Sequence, residues 1–295
     1  MTSNEAYIES FSMDNLGFSM TTLRDSLDVF CLIQSNEILP SMKNIQHDQS
    51  PVVGFVTAPE WLEPAVTEFP TTVQENIRVR QSPLMLPGFD YQLESIANVQ
   101  DQLNLNAQRL KAMGCDLVAQ VGTPFAWAGT NSEAEARARC DAMQQASGVS
   151  CVMTSLAIVD GLRARGVNKI AINCPYYEHN WRDQFSAFMR QCDFQVIAAA
   201  NLHDLGLVKP QESLTLYHTP SEKLICESFQ KLAERAPEAE AIVVPGTAVR
   251  TLPILQTLEK MLDKPVITAD TILYWAIAQQ LGLTLKPIMG TYSHL

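Results

Sequence analysis

The chain has 295 residues, of which 46% are hydrophobic and 18% charged, so it can bury a sizeable core and is long enough for two medium-sized domains. A formal net charge of −11 argues against nucleic acid and anionic membranes as partners, because both would repel an acidic surface. No apolar run approaches the roughly 20 residues that cross a bilayer, and the first residues lack the plan of a signal peptide. We therefore predict a cytoplasmic protein that acts on a small molecule, with assembly into a homo-oligomer left open.

Residues 1–48 are polar and irregular, and are interpreted as an N-terminal extension in which nothing indicates catalysis. After them, apolar runs of strand length alternate with segments of helical periodicity. The runs predict strands at 51–57, 115–121, 168–174, 193–199, 240–245 and 264–268. The helical patterns predict helices at 92–113, 132–147, 154–165, 178–191, 220–235, 250–262 and 270–281.

This regular alternation is typical of an α/β fold, in which parallel sheets carry helices on both faces. Ligands of such sheets bind outside the carboxyl ends of the strands, so the loops at those ends are where a site is expected. Two of these loops share one layout. VGTPFAWAG at 121–129 and VPGTAVRTL at 244–252 each leave a strand through Gly-Thr and turn into a helix. We therefore predict two pseudo-symmetric halves with one site in the cleft between them.

The seven cysteines stand singly, without a CxxC pair or a His partner at ligand spacing. Neither a disulfide framework nor a zinc site is indicated. Most of the cysteines are interpreted as buried thiols, since a free Cys behaves as a small hydrophobe. Cys174 differs because it ends a predicted strand, where its side chain either faces the cleft or lies buried in the strand.

Three segments carry a resemblance to a known family. VVPGTAVRTLPILQTLEKMLDKPVITADTILYW resembles the C-terminal signature of the maleate isomerase and arylmalonate decarboxylase branch of the aspartate/glutamate racemase superfamily. NKIAINCPYYEHNWRDQFSAFMRQCDFQVIAA is similar to the strand, Thr-Pro-Tyr turn and helix of that family, and TSLAIVDGLRARGVNKIAI to its preceding helix. The match runs from about residue 115 to residue 283.

The resemblance implies two Rossmann-like halves with parallel sheets, an active site in the cleft between them, and neither a metal nor an organic cofactor. We place the first α/β half at 49–155 plus 270–295 and the second at 156–269. In the resembled family a cysteine at the head of each loop works on the substrate carbon, and one of the pair is sufficient in the decarboxylases. Here the two positions fall on Gly122 and Gly246, so the usual thiol routes to racemisation and cis–trans isomerisation are not supported.

The loops still offer carboxylate binding through backbone N–H groups and the hydroxyls of Thr123 and Thr247, because helix dipoles favour an anion at helix starts. The resemblance adds the phenol of Tyr176, which in the family also reaches the carboxylate. The alternative interpretation is that both Thr residues are N-caps and that Tyr176 is a half-buried core aromatic. The predicted substrate-binding residues are Gly122, Thr123, Pro124, Phe125, Gly246, Thr247 and Ala248.

The predicted catalytic residues are Cys174, Tyr176 and Glu60. The thiol of Cys174 could exchange a proton if neighbouring N–H groups lowered its pKa. Glu60 follows the first predicted strand, and a carboxyl group inside an anion site would have a raised pKa and could act as an acid. An exposed position near a helix cap is the alternative for Glu60.

We therefore predict a cofactor-independent enzyme that acts on a small carboxylic acid, as a decarboxylase or other lyase of the arylmalonate decarboxylase type with an unusual proton donor. Decarboxylation requires one proton donor and groups that stabilise the developing enolate. Two alternatives stay open: a racemase or maleate-isomerase-type enzyme that uses non-thiol groups, and a carboxylate-binding relative without catalysis.

Overall fold

The computed structural model describes residues 49–59, 62–86 and 88–295. The predicted N-terminal extension at 1–48 therefore lies outside the described residues. Residues 50–295 form one compact unit, which contains two parallel four-stranded sheets with interleaved helices. The α/β fold predicted from the sequence is confirmed.

The first sheet has the strand order β2-β1-β3-β4, and all of its strands are parallel. β1 is buried along its whole length, as expected for a parallel strand with both faces covered. The strands of this sheet are β1 (Val52–Thr57), β2 (Arg78–Pro83), β3 (Leu117–Gln120) and β4 (Ser150–Met153). The helices between them are α1 (Ala65–Thr72), α2 (Leu93–Ala97), α3 (Gln100–Ala112), α4 (Pro124–Trp127) and α5 (Glu133–Ser147).

The second sheet repeats this order as β6-β5-β7-β8, again with parallel strands only. The shared order supports the predicted pseudo-symmetry of the two halves. The strands are β5 (Lys169–Asn173), β6 (Gln195–Ala200), β7 (Ala241–Val244) and β8 (Val266–Thr268). The remaining α-helices are α6 (Thr154–Ala164), α7 (His179–Gln191), α8 (Glu222–Arg235), α9 (Leu255–Leu262) and α10 (Ala269–Leu281), and 3₁₀ helices cover Leu214–Tyr217, Leu252–Ile254 and Pro287–His294.

Two helices, α6 and α10, pack against each other and join the two halves, because both also contact strands of both sheets. α10 is buried over most of its length, in agreement with its apolar sequence. The helices approach closely at Gly161, where a Cβ atom would lie 2.3 Å from the Cδ1 atom of Ile272. This tight crossing keeps the two halves together. The exact domain boundaries stay a prediction.

Several elements differ from the prediction. β2, β4 and α1 were not predicted, and the predicted helix 92–113 is two helices interrupted at residues 98–99. β2 escapes prediction because RVRQSP is an edge strand of polar, partly exposed residues with no apolar run. No helix of the described residues has the length and apolarity that a bilayer crossing requires.

Candidate active site

A cleft with a volume of about 660 Å³ opens at the carboxyl ends of the strands of both sheets. Both predicted loops line it, together with residues of the α1 and α7 regions and of the long connection after β6. The lining residues are Ala58, Glu63, Asp90, Tyr91, Gln92, Ile96, Val121, Gly122, Thr123, Pro124, Phe125, Tyr176, Tyr177, Glu178, Asn180, Trp181, Thr215, His218, Thr247 and Ala248.

The two loops meet across the cleft, as the sequence predicted. The Thr123 hydroxyl donates to the carbonyl oxygen of Pro245 at 2.9 Å, and it is 2.8 Å from the Tyr177 hydroxyl. Thr123 is completely buried, and its side chain caps no helix N–H group. The N-cap alternative is therefore wrong for Thr123, whose hydroxyl connects the first half to the second.

The backbone of the first loop depends on glycine. Gly122 has a φ of +106°, a conformation that L side chains rarely adopt, and a Cβ atom there would lie 3.0 Å from the Phe125 ring. The side-chain amide of Gln120 holds the loop by donating to the carbonyl oxygens of Val121 and Gly122. These contacts hold the loop in the conformation that the structure shows.

In the second loop, the phenol of Tyr176 covers Gly246. A Cβ atom at Gly246 would lie 2.5 Å from Cε1 and 2.6 Å from the hydroxyl oxygen of Tyr176, so the ring occupies the space that a side chain would need. Burial raises the pKa of Tyr176, and the neighbouring Ala248 N–H group partly offsets that increase. At neutral pH Tyr176 is therefore a neutral hydroxyl group, able to donate a hydrogen bond.

Hydrogen-bond donors remain unused around this phenol. The Thr247 hydroxyl makes no hydrogen bond to the described residues and is partly exposed in the cleft. The backbone N–H groups of Gly122, Thr123 and Thr247 also donate to no group among the described residues. Both loops therefore present donors to the cleft that a carboxylate would satisfy.

The helix starts do not supply these donors in the predicted way. The first loop enters only the four-residue helix α4, and the second reaches a 3₁₀ turn at Leu252 before α9 begins at Leu255. A helix thus begins directly after the first loop, as predicted, whereas the prediction of an α-helix directly after the second loop is wrong. A four-residue helix and a 3₁₀ turn align too few peptide groups for the predicted helix-dipole effect. The donors of the site are individual loop N–H groups and hydroxyls.

The structure decides between the two alternatives for Cys174. The residue is only 1% exposed and does not line the cleft, which agrees with the buried alternative and contradicts the predicted catalytic role. Burial raises the pKa of its thiol, so the reactive thiolate form is disfavoured. No cysteine among the described residues lines the cleft. Glu60 lies outside the described residues, so its role stays a prediction.

Sequence reasoning missed Glu63, which lines the cleft three residues after Glu60. It also missed an aromatic cluster formed by Tyr176, Tyr177, Trp181 and His218, with adjacent rings 4.6–5.2 Å apart. The adjacent tyrosines in CPYYEHNW, followed by Trp four positions later, are a readable signal of an aromatic wall at this strand end. His218 lies in a long connection between β6 and α8, where no pattern indicates its position.

The titratable side chains that line the cleft are mostly acidic. Glu63, Asp90 and Glu178 line it, whereas no Lys or Arg of the described residues does. Burial lowers the pKa of His218 below its usual value of 6.5, so this ring adds little positive charge at neutral pH. A carboxylate placed in this cleft would therefore meet hydrogen-bond donors and no cationic side chain of the described residues.

A cation lies behind the cleft wall instead. The guanidinium of Arg250 forms an ion pair with Glu68 of α1, donates to the Tyr274 hydroxyl at 2.9 Å, and donates to the carbonyl oxygen of Thr247 at 2.9 Å. These bonds connect the second loop to α1 and α10. The backbone of Thr247 is thereby held in place by a side chain that lies behind the cleft wall.

Comparisons with known proteins assign the class of this fold and cleft. The family model described as arylmalonate decarboxylase matches residues 66–291, so the chain belongs to the arylmalonate decarboxylase family. The arylmalonate decarboxylase of Bordetella bronchiseptica is 24% identical to it over 195 residues, which cover 66% of this chain and 74% of the relative.

Solved structures agree in fold. A crystal structure of arylmalonate decarboxylase superposes with a TM-score of 0.68 at 21% identity, covering 82% of this chain and 98% of the other. The maleate isomerase Iso from Pseudomonas putida S16 superposes with a TM-score of 0.70 at 18% identity, covering 83% of this chain and 98% of the other. The family membership expected from the sequence is confirmed.

Proposed function

We propose that this chain is a cofactor-independent decarboxylase of malonates that carry an apolar substituent on the central carbon. The observation that carries the proposal is the set of donors in the cleft: the Thr247 hydroxyl, the Tyr176 phenol and the unpaired loop N–H groups. Family membership supports the reaction class, and the name of the Bordetella relative supports the aryl-substituted malonate as substrate.

The chemistry requires stabilisation of charge on the carboxylate that remains. When the C–C bond to the leaving carboxylate breaks, its electron pair moves onto the central carbon and the retained carboxylate, which becomes an enediolate. Donors that are already fixed in place stabilise that charge more than water does, because they need no reorganisation during the reaction. The Tyr176 phenol and the Thr247 hydroxyl lie beside the second loop, where these donors converge.

The glycines are part of the same proposal. Gly122 and Gly246 stand where the family resemblance places the thiols of related enzymes, and no described cysteine lines the cleft. A reaction that needs a thiol on each face of the substrate is disfavoured by this composition. Decarboxylation is retained, because it needs charge stabilisation and a single proton delivered to carbon.

The apolar substituent has a wall to contact. Phe125, Tyr177 and Trp181 line the cleft together with Ile96, which gives an aromatic and aliphatic surface beside the donors. An aryl or large alkyl group on the central carbon would pack there while its carboxylate binds the loops.

The test is incubation of the protein with phenylmalonate, followed by measurement of CO₂ and phenylacetate. We expect turnover, and a Tyr176→Phe variant should lower kcat/KM by about a hundredfold or more, because one donor to the developing charge is removed. Tyr91→Phe is the matched control, since Tyr91 also lines the cleft but lies on the first half. Binding of phenylmalonate without any product would favour a carboxylate-binding relative, and conversion of maleate to fumarate would favour an isomerase.

A further inference from the structure

We propose that Glu63 is the acid that protonates the substrate carbon after CO₂ is lost. This inference rests on the proposed decarboxylase function and names the proton donor that the function requires. The burial of Glu63, its hydrogen bonds and the charges that surround it support this role.

Glu63 combines burial with access to the cleft. It is only 3% exposed, yet it lines the cleft just before α1. One carboxyl oxygen accepts a hydrogen bond from the Ala65 N–H group at 3.1 Å. The other has no hydrogen-bonding partner among the described residues. A carboxyl group bound through one oxygen can keep a proton on the second oxygen and present it to a ligand.

The carboxyl groups around Arg250 outnumber its single positive charge, which favours a proton on one of them, and we assign that proton to Glu63. Three carboxyl groups lie around this one guanidinium, at Glu63, Glu68 and Asp270. Glu68 accepts hydrogen bonds from Arg250 and from the Tyr274 hydroxyl, both of which stabilise its charge.

Asp270 is satisfied by a separate set of donors. Its carboxylate accepts from the Thr251 N–H group at 3.0 Å, the Thr251 hydroxyl at 2.9 Å and the Thr268 hydroxyl at 2.6 Å. Glu63, by contrast, has one N–H donor and lies 3.9 Å from the guanidinium, beyond hydrogen-bond distance. Of the three groups, Glu63 has the fewest donors to stabilise its anion, which favours its protonated form.

The electrostatics agree with this geometry. Burial raises the pKa of Glu63, and the negative charges of Asp270 and Glu68 raise it further, while the Ala65 N–H group and Arg250 lower it. Tyr176 lies close enough to Glu63 that a negative charge on Glu63 would raise the pKa of the phenol. A protonated Glu63 removes one negative charge from a cleft that would otherwise repel a dianionic substrate.

Glu63 lies next to the second loop. The same Nη1 atom of Arg250 that is 3.9 Å from Glu63 donates to the Thr247 carbonyl oxygen at 2.9 Å. The guanidinium of Arg250 therefore lies between the Glu63 carboxyl group and the second loop. In the proposed function, that loop supplies donors for the retained carboxylate. The proposal therefore places the central carbon of a substrate bound at Thr247 within reach of Glu63.

The step balances without a co-reactant. The C–C bond to one carboxylate of the malonate dianion breaks, CO₂ leaves, and the electron pair remains as the enediolate. The O–H bond of Glu63 then breaks, and its proton forms the new C–H bond of the monocarboxylate product. Glu63 becomes a carboxylate that Arg250 stabilises, and it regains one proton from solvent before the next turnover.

The other groups of the cleft are weaker donors. The pKa of the Tyr176 phenol is raised, which makes it a poor acid, and the pKa of Asp90 is lowered, which keeps it ionised. His218 is mostly neutral at neutral pH because burial lowers its pKa. Glu178 lines the cleft from an exposed position, and one of its carboxyl oxygens accepts a hydrogen bond from the Leu214 N–H group.

The test compares Glu63→Gln with the parent on phenylmalonate. Gln keeps an oxygen that can accept from Ala65 but carries no acidic proton. We expect kcat to fall by about a hundred- to ten-thousandfold, the usual contribution of a general acid, with KM changed much less. The matched control is Glu68→Gln, which also removes a carboxylate from Arg250 but does not line the cleft.

Two readouts separate a proton donor from a structural role. The parent should lose turnover as pH rises through the raised pKa of Glu63, because only the protonated form donates. Glu63→Gln should lack this limb, whereas Glu68→Gln should retain it at a lower pH, because the charge of Glu68 raises the pKa of Glu63. Infrared spectroscopy of the parent should show a carbonyl band of a buried protonated carboxyl group, absent in Glu63→Gln. Binding of phenylacetate by the variant verifies that its cleft is intact.

The outcomes distinguish the two proposals. Turnover of phenylmalonate by the parent that survives unchanged in Glu63→Gln overturns the donor role and leaves the decarboxylase function standing. A parent without a high-pH limb or without the infrared band overturns the donor role even where Glu63→Gln fails to fold. A parent that releases no CO₂ from phenylmalonate overturns the proposed function, and the donor role falls with it.

Discussion

The two strand-end loops have similar sequences, VGTPF and VPGTA, but their threonine side chains have different environments and different roles. Thr123 of the first loop is completely buried, and its hydroxyl bonds the Pro245 carbonyl and Tyr177. Thr247 of the second loop is partly exposed in the cleft, and its hydroxyl has no partner among the described residues. One loop closes the two halves together, and the other keeps its side chain available for a ligand.

The glycines differ in a similar way. Gly122 is required by its positive φ and by the Phe125 ring, whereas Gly246 is required because the Tyr176 ring lies on it. Glycine is thus needed at 122 mainly for its backbone conformation, and at 246 because any side chain would collide with the Tyr176 phenol. A repeated motif in a pseudo-symmetric fold therefore does not imply a repeated role, and each copy must be tested by itself.

The largest effect is expected for Gly246→Ala. The added methyl group would lie 2.5 Å from the Tyr176 ring, so the phenol must move away from the second loop. Loss of one fixed donor costs about a hundred- to a thousandfold in kcat. The measurement is kcat/KM for phenylmalonate beside Tyr176→Phe, which keeps the ring. Activity of Gly246→Ala equal to that of the parent would show that the phenol takes no part.

Thr247→Val should affect binding more than stability. The substitution keeps the shape of the side chain and removes a hydroxyl that has no protein partner, so the free energy of unfolding should change little. A hydrogen bond to a charged group contributes about 1.5–3 kcal/mol, so affinity for phenylacetate should fall by about ten- to a hundredfold. Calorimetric titration measures it, and unchanged affinity would refute a role for this hydroxyl in carboxylate binding.

Thr123→Val should give the opposite result. The Pro245 carbonyl and the Tyr177 hydroxyl would lose a buried partner, at a cost of about 1–3 kcal/mol in the free energy of unfolding. Urea denaturation of the parent, Thr123→Val and Thr123→Ser measures this cost, and Ser should recover much of it because it keeps the hydroxyl. A Thr123→Val protein as stable as the parent would contradict the role assigned to this loop.

The sequence predicted the α/β class, most helices and the meeting of the two loops, because buried parallel strands read as apolar runs and the Gly-Thr pattern marks their ends. It did not predict β2, whose partly exposed edge position needs no apolar residues. It also placed an α-helix directly after the second loop, where the chain instead forms a 3₁₀ turn, and it did not show that the helix after the first loop has only four residues. Local patterns do not determine how far a loop extends before its helix begins.

The site was predicted in part for a related reason. The loop residues could be identified because they occupy strand ends, which the fold itself brings together. Glu63 could not be separated from Glu60, since APEWLEP has no periodicity that shows which carboxyl group turns inward. The raised pKa of Glu63 comes from burial in the folded structure and from the charges of Asp270 and Glu68. Asp270 is far from Glu63 along the chain, and nothing in the sequence shows that Glu68 lies near its carboxyl group.

Cys174→Ala is the substitution with the smallest expected effect on turnover. It concerns a third strand end, the one that follows β5. Cys174 and Tyr176 are two residues apart, yet the thiol is enclosed in the core, whereas the phenol lines the cleft. A group that does not reach the substrate cannot donate a proton to it, so Cys174→Ala should leave kcat per folded molecule unchanged. Its cost should appear as a modest loss of stability from the small cavity that the missing sulfur leaves. Turnover of phenylmalonate, normalised to the folded fraction, measures the first expectation, and urea denaturation measures the second. A large fall in kcat with unchanged stability would return Cys174 to the reaction and show that the cleft opens to the thiol during turnover.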